Sequence, residues 1–595
     1  MKLKLLKLLV VLLTTFTVNS QNFIEKQLPT PQNLSSFFIG PLLKSTIHYG
    51  AKPNNYNGEI LVFNHGYIDL NQLFFTNNTF YQEAYNSGYQ VVFVATTRGE
   101  GMWKNGELLA EAIDKVTLKY NVNDIYLIAH SNGGKAAEVA MFTHNKKDKI
   151  KRVFALGTPY WGTYLADLSQ QWWFNWIWKQ TGLNGGAATS TTYYCRDVVR
   201  PYFDNLVNNQ PEKFHIIGGS GFASGHTILA PLMFTSGTIL YLNQGTNDGV
   251  APYNSTLRPG ATYLFSKHEA KLDHVDVALG QYVWKYIAPL LNNNPNKTQK
   301  NKQDYQQPNK IVSDYQIINS ENKYDNIRLD KGSSKALIKV YKPNTKTDFT
   351  LTSNSGILTP LTYKNKPNFN TNKFYHEYLL NINNNDVTQL ISNSEHVAFV
   401  HQPKGVKMIL KTLKKENKLT ISFTKYIQVN DISIDIIISK NSDLFGKPVN
   451  GDIEIYSPKY NTVNRSFTLD LSLFDKGVYS IHITATHKHF KRSLVSGFTV
   501  GSLNTKNLKD ENLSWEKSLN IILKSNIVKD FIEFKNLTHE DYYNTSVKLY
   551  NINGQLIQNN TLKNNKINVS NLDSGFYIAI LYKSGKTKSF KLIKQ

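Results

Sequence analysis

The sequence predicts a multi-domain protein. An N-terminal α/β unit with a mostly parallel sheet and helices on both faces is followed by all-β sandwich modules. Three observations carry this expectation. Between Glu59 and Leu291, short apolar runs alternate with stretches of helical spacing, which is the βαβ pattern of a parallel sheet. From Ile311 to about Val500, short alternating strands separated by turn residues replace it. A polar stretch divides the two. The chain has 595 residues, enough for roughly three to five domains. Its 41% apolar and 19% charged content is that of a globular protein.

Residues 1–20 read as a signal peptide. Lys2, Lys4 and Lys7 precede the apolar run Leu8 to Leu13, and Val18-Asn19-Ser20 offers a small-residue cleavage site. No later run is long enough to span a bilayer as a helix. Cys195 is the only cysteine, so no intrachain disulfide forms and stability rests on packed cores. The net charge of +23 is spread through the C-terminal half, where lysines interleave with asparagines. No nucleic-acid-binding motif accompanies it, so a solvated basic surface is expected and no nucleic acid partner.

The catalytic unit is expected over residues 21–291. Glu59 to Phe63 is a buried strand ending in Asn64-His65-Gly66-Tyr67, and Gln90 to Thr96 is the next. Glu107 to Lys119 carries apolar residues at 108, 109, 112, 113 and 116, a helical spacing. Ile125 to His130 is then a strand that stops at Ser131-Asn132-Gly133-Gly134 and passes straight into the helix-forming run Lys135 to Phe142. This strand–Ser–helix arrangement follows G-x-S-x-G, with Ala129 in place of the first Gly. The turn is tight enough that side chains two before and two after the Ser must be small. It lifts the Oγ of Ser131 above the sheet edge, and the new helix aims its first N–H groups at developing negative charge.

Further on, Lys151 to Leu156 is a strand running into Gly157-Thr158-Pro159-Tyr160-Trp161-Gly162-Thr163. Lys213 to Gly219 and Ala261 to Ser266 are further strands, and Val277 to Leu291 is a helix. A cap is expected over about 160–212. Within it, Trp172, Trp173, Trp176 and Trp178 crowd one short segment, and Gly185-Gly186-Ala187-Ala188 would give it a hinge. Exposed, these rings would seat the protein on a lipid or polymer surface; buried, they would pack the cap onto the core.

The Gly157–Thr163 segment resembles the G-T-P-x-x-G-T/S segment of bacterial triacylglycerol lipases, and Ala129-His130-Ser131-Asn132-Gly133-Gly134 is similar to the elbow of small bacillar lipases. Residues from about 55 to 291 therefore resemble an α/β-hydrolase of the lipase type. That resemblance implies that Ser131 is the nucleophile. It implies that Asp248, in Asn247-Asp248-Gly249-Val250-Ala251-Pro252, is the triad acid and His274 the base, with His268 a weaker competitor. The order Ser, Asp, His is that of the family. The amides of Tyr67 and Asn132 would form the oxyanion hole, with His65 structural beneath it. No cofactor is implied. Some related lipases place calcium on an Asp two residues after the base, and Asp276 fits that position. Their second Asp lies upstream of the triad acid, where this chain has none between Asp204 and Asp248 and only Glu212 as a carboxylate, so no metal is expected. The implied activity is cleavage of carboxylic esters, as a lipase acting on acyl esters at an interface, as an esterase, or as a polyester depolymerase. A surface adhesin with an inactive hydrolase fold is the reading from outside enzymology.

Asn292 to Lys310 reads as a flexible linker. One or two β-sandwiches are expected beyond it, at 311–405 and 406–510. In the tail, Asn553-Gly554 marks a hairpin turn, Leu572-Asp573-Ser574-Gly575-Phe576-Tyr577 follows, and the chain closes on the basic strand Lys588 to Lys594. Residues 514–595 resemble the C-terminal sorting domain of the type IX secretion system. That resemblance implies the secretion machinery as a partner, export through periplasm and outer membrane, and a product released or attached at the outer cell surface.

Overall fold

The computed structural model describes residues 23–33, 45–66, 78–97, 100–174, 187–227, 229–264, 271–291, 305, 310–319, 324–327, 329–330, 334–342, 349–353, 357–360, 375–381, 388–392, 396–424, 431–449, 453–456, 458, 460–461, 466–503, 522–535, 545–551, 556–562, 564–583 and 586–595. The expected signal peptide, Tyr67, His268, Trp176, Trp178 and most of the expected linker lie outside the described residues, as does the side chain of Trp172.

The apolar runs of the first half become β1 (Ile24–Gln27), β2 (Thr46–Tyr49), β3 (Ile60–Asn64), β4 (Gln90–Ala95), β5 (Ile125–His130), β6 (Ile150–Leu156), β7 (Phe214–Ile217) and β8 (Thr262–Tyr263). They form one sheet in the order β1-β2-β4-β3-β5-β6-β7-β8. Every neighbouring pair is parallel except β2 with β4. All residues of β3, β4 and β5 are buried, as expected for strands covered on both faces. Among the described residues, the α-helices of six residues or more are α1 (Phe80–Asn86), α2 (Met102–Tyr120), α3 (Gly133–Glu138), α4 (Tyr164–Ser169), α5 (Ala230–Gln244) and α6 (Gly280–Leu291). Helix α2 begins five residues earlier than its apolar spacing suggests and stops at Asn121, which takes the left-handed conformation that ends helices (φ 50°). Helix α6 starts later than expected, because a 3₁₀ turn at Asp276–Ala278 comes first.

In the β region, the strands Tyr315–Asn319, Val397–His401, Lys335–Tyr341, Tyr375–Asn381 and Ile357–Pro360 lie side by side in one sheet. Its two faces carry different cores. Ile318, Ile338, Val340, Leu380, Ala398 and Val400 face into the β region, together with Ile327 of the three-stranded sheet beyond. The alternate residues Tyr315, Ile317, Tyr341, Tyr375, Val397 and Phe399 share a core with Leu165, Leu168, Phe234, Ile239 and Leu240 of the α/β unit. Hydrogen bonds join the same faces: Tyr164 with Tyr315 (2.7 Å), and Thr238 with Tyr341 (2.8 Å). The chain from Met1 to Ser502 is accordingly one compact unit.

The described strands between Tyr315 and His401 and those between Met408 and Val500 lie in different sheets, with one strand crossing the expected division near residue 405. Lys310–Ser313, at the end of the expected linker, is a strand that pairs with Met408–Leu413 in a sheet with Lys418–Phe423 and Ser466–Asp470. That sheet packs on the long strands Ser433–Ser442, Gly477–His487 and Phe490–Val500. Of the expected modules 311–405 and 406–510, the first therefore gives up its opening strand to the second. Leu503–Gln595 forms the other compact unit. In it Thr545–Asn551 pairs with Leu556–Thr561 across the Asn-Gly position, and Gly575–Lys583 pairs with the terminal strand Lys586–Lys594 around Val547, Leu549, Leu581 and Leu592.

Candidate active site

Ser131 ends β5 with a positive φ of 55°, a strained conformation for a residue with a side chain. Its N–H donates to the carbonyl of Leu156 (2.8 Å) and its carbonyl accepts from Gly134 (3.1 Å), so the turn is pinned from both sides. The small residues around it are required by contact. A Cβ on Gly133 would stand 2.9 Å from the carbonyl oxygens of Asn64 and His65, and one on Gly134 would stand 2.2 Å from Thr158 Oγ1. Gly66, at the end of β3, faces the same point. A Cβ there would lie 2.5 Å from Ser131 Cβ and 2.9 Å from the amide nitrogen of Asn132. The His-Gly strand end and the Ser131 turn thus meet. His65 is buried, with Nδ1 2.6 Å from the carbonyl of Gly66.

In the loops after helix α5 and before the Asp276–Ala278 turn, His274 Nδ1 donates to Asp248 Oδ2 at 2.8 Å, with both side chains buried. A carboxylate only accepts, so Nδ1 carries the hydrogen and Nε2 is left as an acceptor. The loop fixes Asp248 further. Its Oδ1 accepts from the amides of Val250 (2.9 Å) and Ala251 (2.6 Å), and the amide of His274 donates to its carbonyl (2.8 Å). Gly157 sits against the pair with φ 59°, and a Cβ there would come within 3.1 Å of both Asp248 Oδ2 and His274 Nδ1. His130, the residue before Ser131, bonds through Nε2 to the carbonyl of His274 (2.8 Å), and the two rings stand 4.7 Å apart. Burial, reinforced by the adjacent His274, holds His130 well below the usual imidazole range, so it is neutral. Asp276 is engaged with His226, whose Nδ1 lies 2.8 Å from Oδ2.

A cavity of about 110 Å³ opens beside Ser131 and Asn132. Leu165, Phe174, Leu232, Met233, Ile239 and Val250 line it, and so does Tyr341 of the β region. Of the aromatic cap segment, Trp173 is described, and it is buried, edge-on to Phe174 and 5.4 Å from His482 of the β region. It is therefore a packing residue and not part of an exposed stripe, because the β region covers this side of the cap.

Three features of the site were not anticipated. Lys135, in the first turn after Ser131, is wholly buried and donates to Thr189 O (2.9 Å) and Ser190 Oγ (2.7 Å), while Ser190 donates to Asn132 Oδ1 (2.8 Å). Burial pulls this ammonium below its ordinary pKa. Glu138, one turn later, accepts from Arg200 (2.6 and 2.5 Å) and Arg258 (2.8 Å) with no exposure to solvent. Helix α5 supplies Leu232, Met233, Thr235, Ser236 and Ile239 to the cavity wall. The only sequence signal for the first two was a pair of charges in an otherwise alanine-rich, buried helix.

Residues 64–181 match the PGAP1-like alpha/beta domain family, and residues 526–595 match the secretion system C-terminal sorting domain family. In structure, the chain is similar to the Bacillus licheniformis lipase BlEst2 in its propeptide form, with a TM-score of 0.56 and 20% identity over 77% of this chain and 98% of that one. The mature form of the same lipase gives 0.37 at 26% identity, over 41% of this chain and 97% of that one. The metagenomic carboxyl esterase MGS0156 gives 0.31 at 15%, over 40% and 76%. No curated protein matches in sequence. The fold is thus that of an α/β-hydrolase followed by antiparallel β sheets, and the sorting domain marks the chain for type IX export, as a secreted or cell-surface protein.

Proposed function

We propose that this protein is an exported serine hydrolase of carboxylic esters that works through Ser131, His274 and Asp248. The observation that carries the reading is the buried Asp248–His274 bond, which His130 ties to the strained Ser131 turn. In this reading His274 Nε2 takes the proton of Ser131 as Oγ attacks the ester carbonyl, and Asp248 holds the tautomer that makes this possible. The amide of Asn132 donates to the developing oxyanion, with that of Tyr67 as second donor; one such donor is worth about 3–4 kcal/mol of barrier. His274 then protonates the leaving alcohol, and water repeats the sequence on the acyl-enzyme. The apolar lining beside Ser131 favours esters with hydrocarbon acyl chains, the substrates of lipases and the longer-chain esterases.

The test compares the exported chain with Ser131→Ala on nitrophenyl esters of increasing acyl length, dissolved and emulsified, together with labelling by a serine-directed phosphonate. Loss of turnover and of labelling in the variant is expected, with a rise in rate at the emulsion surface for a lipase and none for an esterase. Turnover that survives Ser131→Ala would refute the nucleophile. A wild-type chain that neither labels nor turns over would leave the fold as a binding scaffold.

A further inference from the structure

We propose that the β region completes the substrate site, and that Tyr341 forms the wall that sets the length of acyl chain accepted. This rests on the reading of Ser131 as nucleophile and adds a residue from outside the hydrolase fold. Among the described residues lining the cavity beside Ser131, all but Tyr341 belong to the α/β unit. Tyr341 ends the strand Lys335–Tyr341, in register with Tyr375 on one side and Val397 on the other. Alternation along the strand turns it, with Leu337 and Lys339, away from the core that holds Ile338 and Val340.

The ring is held from three directions. Its hydroxyl bonds Thr238 on α5 at 2.8 Å, the same helix that gives Met233 and Ile239 to the cavity. Tyr375 lies 4.9 Å behind it and Phe399 meets it edge-on at 5.8 Å. Each such aromatic contact adds to the cost of moving the ring, beyond the area it buries. The surrounding contact has the character of a domain core: Tyr315, Ile317, Val397 and Phe399 are all buried against Leu165, Phe234 and Leu240. A contact this apolar restrains the motion of its two sides against each other. An acyl chain extending from Ser131 therefore runs along hydrolase residues and stops at an aromatic ring fixed by the other half of the chain.

The test uses the full chain, Tyr341→Ala and Tyr341→Phe, on a series of nitrophenyl esters from acetate upward, with a small methyl phosphonate to count reactive Ser131. The readout is the ratio of kcat/KM on each ester to that on acetate. In the wild type the ratio climbs by about fourfold per methylene, the gain from burying one such group, and then stops. In Tyr341→Ala the climb is expected to continue for about two further methylenes at the same fourfold step. Tyr341→Phe, which keeps the ring, is expected to stop where the wild type does. An unshifted limit in the Ala variant overturns the proposal. So does a gain by one common factor at every chain length, accompanied by faster phosphonate labelling, since the ring would then be covering the entrance. Where the Ala variant does not fold, Tyr341→Leu carries the same shift at smaller size. Absence of labelling in the wild type would refute the nucleophile itself, which is a different result from labelling with an unmoved limit.

Discussion

Asp273, next to the proposed base, is expected to make the protein less stable as pH rises. Its side chain has no exposure to solvent. Oδ1 accepts from the amides of Val275 (2.9 Å) and Asp276 (2.8 Å), while Oδ2 has no hydrogen-bond partner among the described residues and faces Gly225. Burial first, and then the neighbouring carboxylates of Asp276 and Asp248, push its pKa up to about 7. An unfolded Asp titrates near 3.9, so between about pH 4 and pH 7 the native state binds the extra proton, and stability falls through that window. At 1.36 kcal/mol per pKa unit the deficit is about 1.5 kcal/mol at pH 5 and about 4 kcal/mol at pH 8. Asp273→Asn keeps the Oδ1 acceptor and removes the charge. Its stability relative to the wild type should therefore improve by about 2–3 kcal/mol between pH 5 and pH 8. Urea denaturation of both chains, followed by tryptophan fluorescence at the two pH values, measures this directly. Taking variant minus wild type cancels the similar slope expected from Asp167, another buried carboxyl pushed up to about 7. A difference that is flat with pH, or that shrinks toward pH 8, would refute the reasoning.

Glu138→Gln leaves Arg200 and Arg258 buried without their shared counter-ion, and should cost about 3–5 kcal/mol of stability. A shift below about 1 kcal/mol in the same urea experiment would mean that the two guanidiniums find other partners. Gly66→Ala drives a methyl into Ser131 Cβ and the Asn132 amide, and a displacement of this kind should lower kcat about 100-fold in a chain that still melts as a folded protein; a kcat within a few-fold of wild type would contradict it. A chain ending at Ser502 should keep the melting behaviour of the first unit, since Leu503–Gln595 is a separate compact unit, and calorimetry would register any loss.

The site was legible because it is written in short contiguous motifs. The Ser131 turn follows a strand directly, the Asp248 loop follows helix α5, and tight turns leave a local signature in small residues. Residues that act across long separations left none. Helix α5 contacts both the α/β unit and the β region and still carries the exposed apolar residues Leu232 and Tyr241, so it lacks the one-sided pattern by which a surface helix announces itself. Lys135, Glu138, Arg200 and Arg258 look like surface charges until the fold brings them together. The tryptophan segment was ambiguous for the same reason: Trp173 is buried by His482, more than three hundred residues away in sequence. The strand Lys310–Ser313 was not expected in the sheets beyond residue 405, because strand patterning reports the existence of a strand and not its partner.

The pairing of Lys310–Ser313 with Met408–Leu413 bears on how the chain acquires its shape during synthesis. This strand leaves the ribosome roughly a hundred residues before its neighbour exists. Ser313, which also donates to the carbonyl of Ser493, waits for a contact 180 residues away. At about 5–20 residues per second the first delay alone is about 5–20 s, long compared with the microseconds in which a hairpin closes. The hydrolase sheet, complete by residue 291, and the sheet that carries the aromatic face, complete by His401, have all their strands first, but the sheet that holds Lys310–Ser313 is complete only with Ser466–Asp470. Closure of that sheet is non-local, the kind of pairing that folds slowly and leaves strand edges unpaired in the meantime.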